Sequence, residues 1–431
     1  MNTEELYRIY CGHPVITTDS RDCPEGSIFF ALKGDNFDGN RFAAAALRNG
    51  CALAVVDDPA AAADSRCILV DDCLRTFQAL AREHRRRFGI PVIGITGTNG
   101  KTTTKELATA VLAEKFSVMA TQGNFNNDVG VPKTLFRLRP EHQIAVVEMG
   151  ASHPGDIRRL AETAEPTCGI ITNVGKAHLQ GFGSFEGVVR TKGELYDFLR
   201  AREGGRVFIN AADATLRGIA GGLPQVKYGP EGAAPDGVEG RVAGRSPLLC
   251  VEWRAAGGPW HRVQTNLIGS YNLPNVLAAA CIGVSFGVDE AAVCRALEAY
   301  VPSNSRSQLE RTPHNTLIVD AYNANPTSMA AALDNFLGME GDNKMAILGD
   351  MRELGADSAE EHQRVADRLR GCPPESVWLV GTEFGRTDCP FRKFASVEDV
   401  EAELRRNRPE GRLILIKGSN GMKLFRLPQL L

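Results

Sequence analysis

GITGTNGKTTTKE, residues 94–106, reads as a phosphate-binding loop with altered spacing. The usual form, G-x-x-x-x-G-K-[ST], needs a glycine five places before Gly100, and Ile95 stands there. The flanks are nevertheless those of a phosphate loop: IPVIGIT predicts a strand ending at Thr96, and TTKELATAVLAEKF predicts the helix that follows. Gly97 and Gly100 let backbone N–H groups turn inward, the helix N-terminus adds positive potential, and Lys101 reaches the β- and γ-phosphates. Thr102 is placed to ligate Mg²⁺ through its hydroxyl, with Thr98, Asn99 and Thr103 completing the loop. A merely structural Gly/Thr turn is the other reading, and the G-K-T-T run argues against it.

Outward from the loop, short apolar strands alternate with helical segments along the whole chain: SIFFALKG, ALAVVDD and CILVDD before it, QIAVVEMG, CGIITNVG and RVFINAAD after it. NTLIVDAY, KMAILGD, SVWLVG and RLILIKGS follow in the last third. Such alternation predicts an α/β fold of mostly parallel sheets with helices on both faces. At 431 residues the chain has room for about three domains of ~150 residues. The expected boundaries are 1–88, 89–302 and 303–431, the last Rossmann-like but without a G-x-G-x-x-G fingerprint. Residues 228–260, rich in Gly and Pro, read as loops or a small antiparallel excursion. AREHRRRFG, which closes the first stretch, reads as a solvated helix end, with a phosphate contact as the alternative.

A net charge of −3 gives no bulk attraction to nucleic acid or an anionic membrane. Eleven singly scattered cysteines fit a reducing compartment better than a disulfide framework or a zinc site. The N-terminal residues lack the apolar core of a signal peptide, and no apolar run reaches membrane-spanning length. A cytoplasmic protein is expected.

A phosphate loop alone names no reaction. Glu148 ends an apolar strand, where an α/β site places a Mg²⁺ ligand, although a strand-terminal Glu can also be simply solvated. His178 and Lys192 follow in a glycine-rich segment too polar for a core.

GITGTNGKTTT, EMG, NVGKAHLQGFGS, TKGELY, GSYNLPNVLAA and DAYNANPTSM, in this order, resemble the Mur ligases, the ATP-dependent amide-forming enzymes of peptidoglycan precursor assembly. GNFNNDVGVP, EMGASHPGDI, KAHLQGFGS and YNANPTSM are similar to the member that adds D-alanyl-D-alanine to UDP-N-acetylmuramoyl-tripeptide. The resemblance runs from about Asp19 to the last strand and implies three domains: one for the UDP-muramyl peptide, a central P-loop ATPase-like catalytic one, and a Rossmann-like C-terminal one. It implies ATP and two Mg²⁺ ions, with Lys101 on the phosphates, Thr102 and Glu148 on the first ion and His178 on the second. Lys192, in the family's KGE segment, would be carbamylated and so become an anionic ligand of the second ion.

The resemblance also places Asn272 and Asn275 near adenine, with helix capping as the other reading. Arg306, Asp320, Tyr322 and Asn323 would reach the phosphates and ribose from the C-terminal domain, so that catalysis requires domain closure. Ser20, Arg21, Lys33 and Asp38 are implied near the uridine nucleotide, and Asn124, Asn126, Asn127 and Asp128 near the muramyl peptide, although Asx-rich turns also occur for conformational reasons. After the final KGS the family often carries arginine, whereas this chain has Asn420, which puts in question a contact to the incoming dipeptide. Lys417 and Ser419 remain candidates for that pocket.

The rival readings are a sibling ligase adding the third-position diamino acid, a folate-glutamate ligase, and a kinase or nucleotide switch. An inactive scaffold is argued against by Lys101, Thr102, Glu148, His178 and Lys192. A monomer acting on small molecules is expected; the residue at the third peptide position is not legible.

Overall fold

The computed structural model describes residues 1–431 except 35, 177–178, 245–246, 304–305 and 342, together with the side chain of 179. The described chain divides into two compact units, residues 1–94, 117–150 and 156–167, and residues 95–116, 151–155 and 168–431.

In the first unit the strands Ile16–Thr17, Ile28–Phe30, Leu53–Val56 and Cys67–Leu69 lie side by side in that order, all parallel. The helix Cys73–Arg86 starts where Asp72 accepts the Arg75 N–H at 2.8 Å, and it turns Phe77, Leu80 and Ala81 inward. Phe77 lies between Phe30 and Phe136, with ring centroids 5.0 and 5.4 Å away.

The end of this helix corrects the expectation of a solvated arginine cluster. Arg85 is 5% exposed, and its guanidinium donates to the carbonyl oxygens of Ala164, Phe88, Ile90 and Glu165. One guanidinium has five donors, enough to satisfy several carbonyls that chain ends leave unpaired. Arg86 pairs with Glu165 and Arg87 with Glu83. In the same unit Val118–Ala120 and Ile144–Glu148 pair in parallel, the second strand buried along its whole length.

In the second unit the strands Cys168–Ile171, Arg206–Asn210, Gln225–Pro230 and Val238–Gly244 run parallel in succession. Cys250–Ala255 and His261–Gln264 then continue antiparallel, so residues 228–260 form the antiparallel excursion rather than loops. Gly240 allows the helix Leu273–Ser285 to lie close, since a Cβ there would sit 2.4 Å from Leu277 Cδ2. Gly283 of that helix does the same for Val111 of the helix Lys101–Ala113, at 2.3 Å.

The last third is a sheet in the order Gln308–Arg311, Thr316–Asp320, Leu413–Lys417, Lys344–Gly349, Val377–Val380, Arg392–Phe394. Only its first edge strand is antiparallel. Apolar clusters cover both faces, Ile318, Leu348 and Leu415 on one side and Leu317, Ile347 and Ile416 on the other. That is the pattern of a parallel sheet between helix layers, and it gathers Asp320, Asp350 and Lys417 at the carboxyl ends of the strands. No described helix is long and apolar enough to cross a membrane.

Candidate active site

The phosphate loop is built from backbone geometry that only glycine supplies cheaply. Gly97 has φ +143° and Gly100 φ +77°. A Cβ at Gly97 would lie 2.0 Å from Thr172 Oγ1, and one at Gly100 2.4 Å from Asn275 Oδ1, so neighbours fill both places from behind. The segment after Cys168–Ile171 brackets the loop. Asn173 accepts the Thr98 and Asn99 N–H groups at 2.9 and 3.0 Å, and Thr172 Oγ1 donates to Asn99 O at 2.6 Å. The helix Lys101–Ala113 begins at Gly100 without a side-chain cap, which leaves its first turn suited to phosphate oxygens. Lys101 Nζ reaches back over the loop to Gly97 O at 2.8 Å and Thr98 O at 3.1 Å, and Thr102 is buried.

Behind the loop, Thr104 Oγ1 donates to Asn275 Oδ1 at 3.1 Å, Asn275 Nδ2 to Asn272 Oδ1 at 2.8 Å, and Asn272 Nδ2 to Ile268 O at 2.8 Å. Asn272 thus makes no capping bond, and the two asparagines form a buried relay bracing the loop helix.

From the last third, the Arg306 guanidinium stacks on the Tyr322 ring at 3.9 Å from its centroid. Asp320 Oδ2 accepts from buried Lys417 Nζ at 2.6 Å, and the same ammonium reaches Asn323 O at 3.3 Å. Ser419 Oγ accepts the Arg352 N–H at 3.0 Å. One residue missed by sequence reasoning is Asn325. Its Nδ2 donates to Asn99 Oδ1 at 2.8 Å, while its Oδ1 caps the helix Pro326–Gly338 by accepting the Ser328 N–H at 2.9 Å. The cap was readable in NPTS, with proline at the first helical position, but the partner 226 positions away was not.

Lys192, on the helix Phe185–Arg200, is 2% exposed, its Nζ 5.5 Å from the Phe182 ring centroid. Nearby on that helix, Glu194 accepts the Gly155 N–H at 2.8 Å. His178 lies outside the described residues.

In the first unit, Glu148 is not solvated but 1% exposed. Its Oε1 accepts from Asn126 Nδ2 at 2.8 Å, whereas Oε2 is buried without a hydrogen-bond partner among the described residues. A buried carboxylate oxygen left in this state is costly unless a cation meets it. A hard oxygen donor such as the Glu148 carboxylate suits Mg²⁺, which proteins bind through one or two carboxylates beside substrate phosphates. Gly150 makes room for Asn126, whose Oδ1 lies 2.9 Å from a Cβ built there.

The other expected substrate residues are dispersed. Asn127 Oδ1 accepts the Gly130 N–H at 2.8 Å as an Asx cap, and Asn124 lies exposed in the same turn. Burial pushes the Asp128 carboxyl up against the pull of Arg159. Lys33 Nζ pairs with Asp57 at 2.8 Å, and Asn40 hydrogen bonds hold the Asp38 carboxyl below its ordinary range. Arg21 forks onto exposed Asp19, and the Ser20 carbonyl accepts from Asn49.

Three family models match the chain: "Mur ligase family, catalytic domain" over residues 14–85, "Mur ligase middle domain" over 95–283, and "Mur ligase, glutamate ligase domain" over 305–420. A UDP-N-acetylmuramoyl-tripeptide–D-alanyl-D-alanine ligase from Synechocystis sp. is 33% identical over 421 residues, 95% of this chain and 90% of that protein. The ligase of the same description from Treponema pallidum is 33% identical, covering 97% and 94%. The crystal structure of MurF ligase from Thermotoga maritima in complex with ADP superposes with a TM-score of 0.86 at 28% identity, over 96% of each chain.

Proposed function

The chain belongs to the Mur ligase family, and on that premise we propose that it joins D-alanyl-D-alanine to UDP-N-acetylmuramoyl-tripeptide, converting ATP to ADP and phosphate. The observation that carries this reading is the phosphate loop held from two sides, by Asn173 of the middle segment and by Asn325 of the last third. A kinase or switch needs no such second element. We assign the three expected domains, 1–88, 89–302 and 303–431, to the UDP-muramyl peptide, to ATP and catalysis, and to completion of the nucleotide site.

A carboxylate resists amines because its oxygen leaves poorly. Transfer of the γ-phosphoryl to a carboxylate oxygen gives an acyl phosphate; the dipeptide amine adds to its carbonyl carbon, and the tetrahedral intermediate breaks the C–O bond to expel phosphate. The amine loses its protons as the amide forms. Loop N–H groups and Lys101 hold and neutralise the phosphates, with Arg306 positioned on Tyr322 to meet the same charge. Thr102 and Glu148 Oε2 would hold one Mg²⁺, and His178 with a carbamylated Lys192 a second. When bound, such ions neutralise phosphate charge and polarise the transferring group. Asn272 and Asn275 keep the loop helix in place beside the adenosine, which Asp320, Tyr322 and Asn323 complete. The reaction is placed in the cytoplasm, on small molecules, in a monomer. Carbamylation predicts that Lys192→Ala is inactive and partly restored by short carboxylic acids; no rescue, with no mass adduct on the native protein, would rule it out.

The test is Mg²⁺-dependent phosphate release with product mass, with both substrates, either, or neither. Stoichiometric phosphate and pentapeptide only with both is the expected result. Phosphate with neither would make the protein an NTPase, and release with a dipeptide precursor plus a diamino acid would make it the sibling ligase.

A further inference from the structure

Arg306 Nε is buried and has no hydrogen-bond partner among the described residues, while its guanidinium stacks on Tyr322. A buried cationic N–H in that state is costly unless an anion meets it, and the ATP phosphates are the anions that the proposed reaction brings. The residue that follows is held in a conformation it does not favour. Ser307 has φ +48°, in the left-handed region that non-glycine residues rarely adopt, and it is buried.

Both ends of the segment that carries Arg306 are tied through phenol hydroxyls. At one end Ser307 Oγ shares a hydrogen bond with Tyr271 Oη at 2.9 Å. Gly269, at φ +89°, makes room for the Tyr271 ring, since a Cβ there would lie 2.2 Å from its Cε1. The next residue, Asn272, belongs to the relay that reaches the loop helix through Asn275 and Thr104. At the other end, Tyr300 follows the helix Glu290–Ala299, and its hydroxyl donates to Glu106 on the loop helix Lys101–Ala113. Burial and the Glu106 carboxylate push the Tyr300 phenol up against the pull of the Arg306 charge, so it stays a donor. Asn266 Nδ2 secures the backbone there, donating to Glu298 O at 2.8 Å and Tyr300 O at 3.2 Å.

We infer that Tyr271 and Tyr300 are positioning residues for Arg306: by tying both ends of its segment to the loop helix and its relay, their hydroxyls fix where the guanidinium stands relative to the phosphate loop. This rests on the reading of Arg306 as a phosphate contact. A cation stabilises phosphoryl transfer only if it is in place before the oxygens develop charge. A long side chain beside a strained backbone turn is not placed by its own covalent geometry. The Tyr271 bond holds that turn, and the Tyr300 bond holds the chain that leads into it.

The experiment is steady-state kinetics on the full chain, with the Kd for ATP·Mg²⁺ measured by calorimetry. Tyr271→Phe keeps the ring and removes the bond. It should lower kcat/KM for ATP about tenfold and leave KM for UDP-tripeptide and dipeptide unchanged. Tyr300→Phe should do the same. Ser307→Ala should match Tyr271→Phe, and the two together should be no worse than either alone. Ser307→Gly in the Tyr271→Phe background should restore part of the loss, because glycine takes a positive φ freely. In the Arg306→Ala background neither phenylalanine variant should lower the rate further. Unchanged kcat/KM in both phenylalanine variants, or their full additive loss on top of Arg306→Ala, would overturn the inference. A native protein that forms no pentapeptide would instead overturn the ligase reading, and the same pattern of singles and doubles in the Kd for ATP would still decide the roles of Tyr271 and Tyr300.

Discussion

At the scale of single residues, Glu148 separates function from stability. One oxygen is held by Asn126 and the other is buried unpaired, an arrangement that folding alone does not favour. Glu148→Gln keeps the shape and removes the charge. The protein should melt at the native temperature or slightly above it, while kcat/KM falls by at least about 100-fold and the Mg²⁺ requirement rises. Calorimetry with a Mg²⁺ titration of the rate checks both; loss of stability with activity retained would assign Glu148 to structure. The carboxylate was legible in the sequence because it ends an apolar strand. That Asn126 is its partner was not, since a loop asparagine shows its turn-forming habit far more plainly than a contact 22 positions away.

At the scale of elements, the phosphate loop was the most legible part because its glycines declare their backbone: both carry the positive φ that the strand–turn–helix reading required. The asparagine relay behind it was hidden, because Thr104 and Asn275 meet only after two helices pack. The helix Cys73–Arg86 teaches the same lesson. RRRFG looked solvated, yet Arg85 is buried under carbonyls, two of them, Ala164 and Glu165, from another segment. His84 on that helix is buried too, its Nε2–H directed to Leu138 O at 3.3 Å and its Nδ1 accepting from Tyr7 at 3.1 Å, as suits a neutral ring. Burial holds its pKa below the ordinary 6.5. Above about 6.5 both folded and unfolded states are neutral at this site. Below it the unfolded chain takes up a proton that the native ring resists, so stability falls as the pH drops through 6.5. Melting curves between pH 7.5 and 5.5, on the order of one unit either side of the histidine range, should be flatter for His84→Phe than for the native protein. Equal slopes would show that His84 titrates normally.

At the scale of the whole molecule, the two-sided grip on Asn99 ties the last third to the loop. Asn325→Ser keeps a good N-cap but is too short to reach Asn99, so it separates the two roles. Thermal stability should be nearly unchanged, while KM for ATP rises by up to about tenfold, the equivalent of about 1.4 kcal/mol for one hydrogen bond. An unchanged KM would mean that the bond does not serve nucleotide binding. The Lys176–Glu361 pair, 3.4 Å apart with its lysine half exposed, adds little by itself. The alternation of strands and helices in a three-domain α/β plan was legible because parallel sheets advertise themselves as apolar runs; the order of the strands within each sheet was not. How Asn325 is used was not, because it acts through a partner brought near only by the fold.

The central claim is that the γ-phosphoryl of ATP is transferred to the substrate carboxylate before the amide forms. The most direct measurement supplies UDP-N-acetylmuramoyl-tripeptide labelled with ¹⁸O in its terminal carboxyl group, together with ATP and D-alanyl-D-alanine, and weighs the released phosphate. An acyl phosphate leaves one carboxyl oxygen on phosphorus, so one ¹⁸O should appear in phosphate for each pentapeptide formed. Unlabelled phosphate released alongside pentapeptide would mean that water, not the carboxylate, takes the phosphoryl group, and would contradict the account.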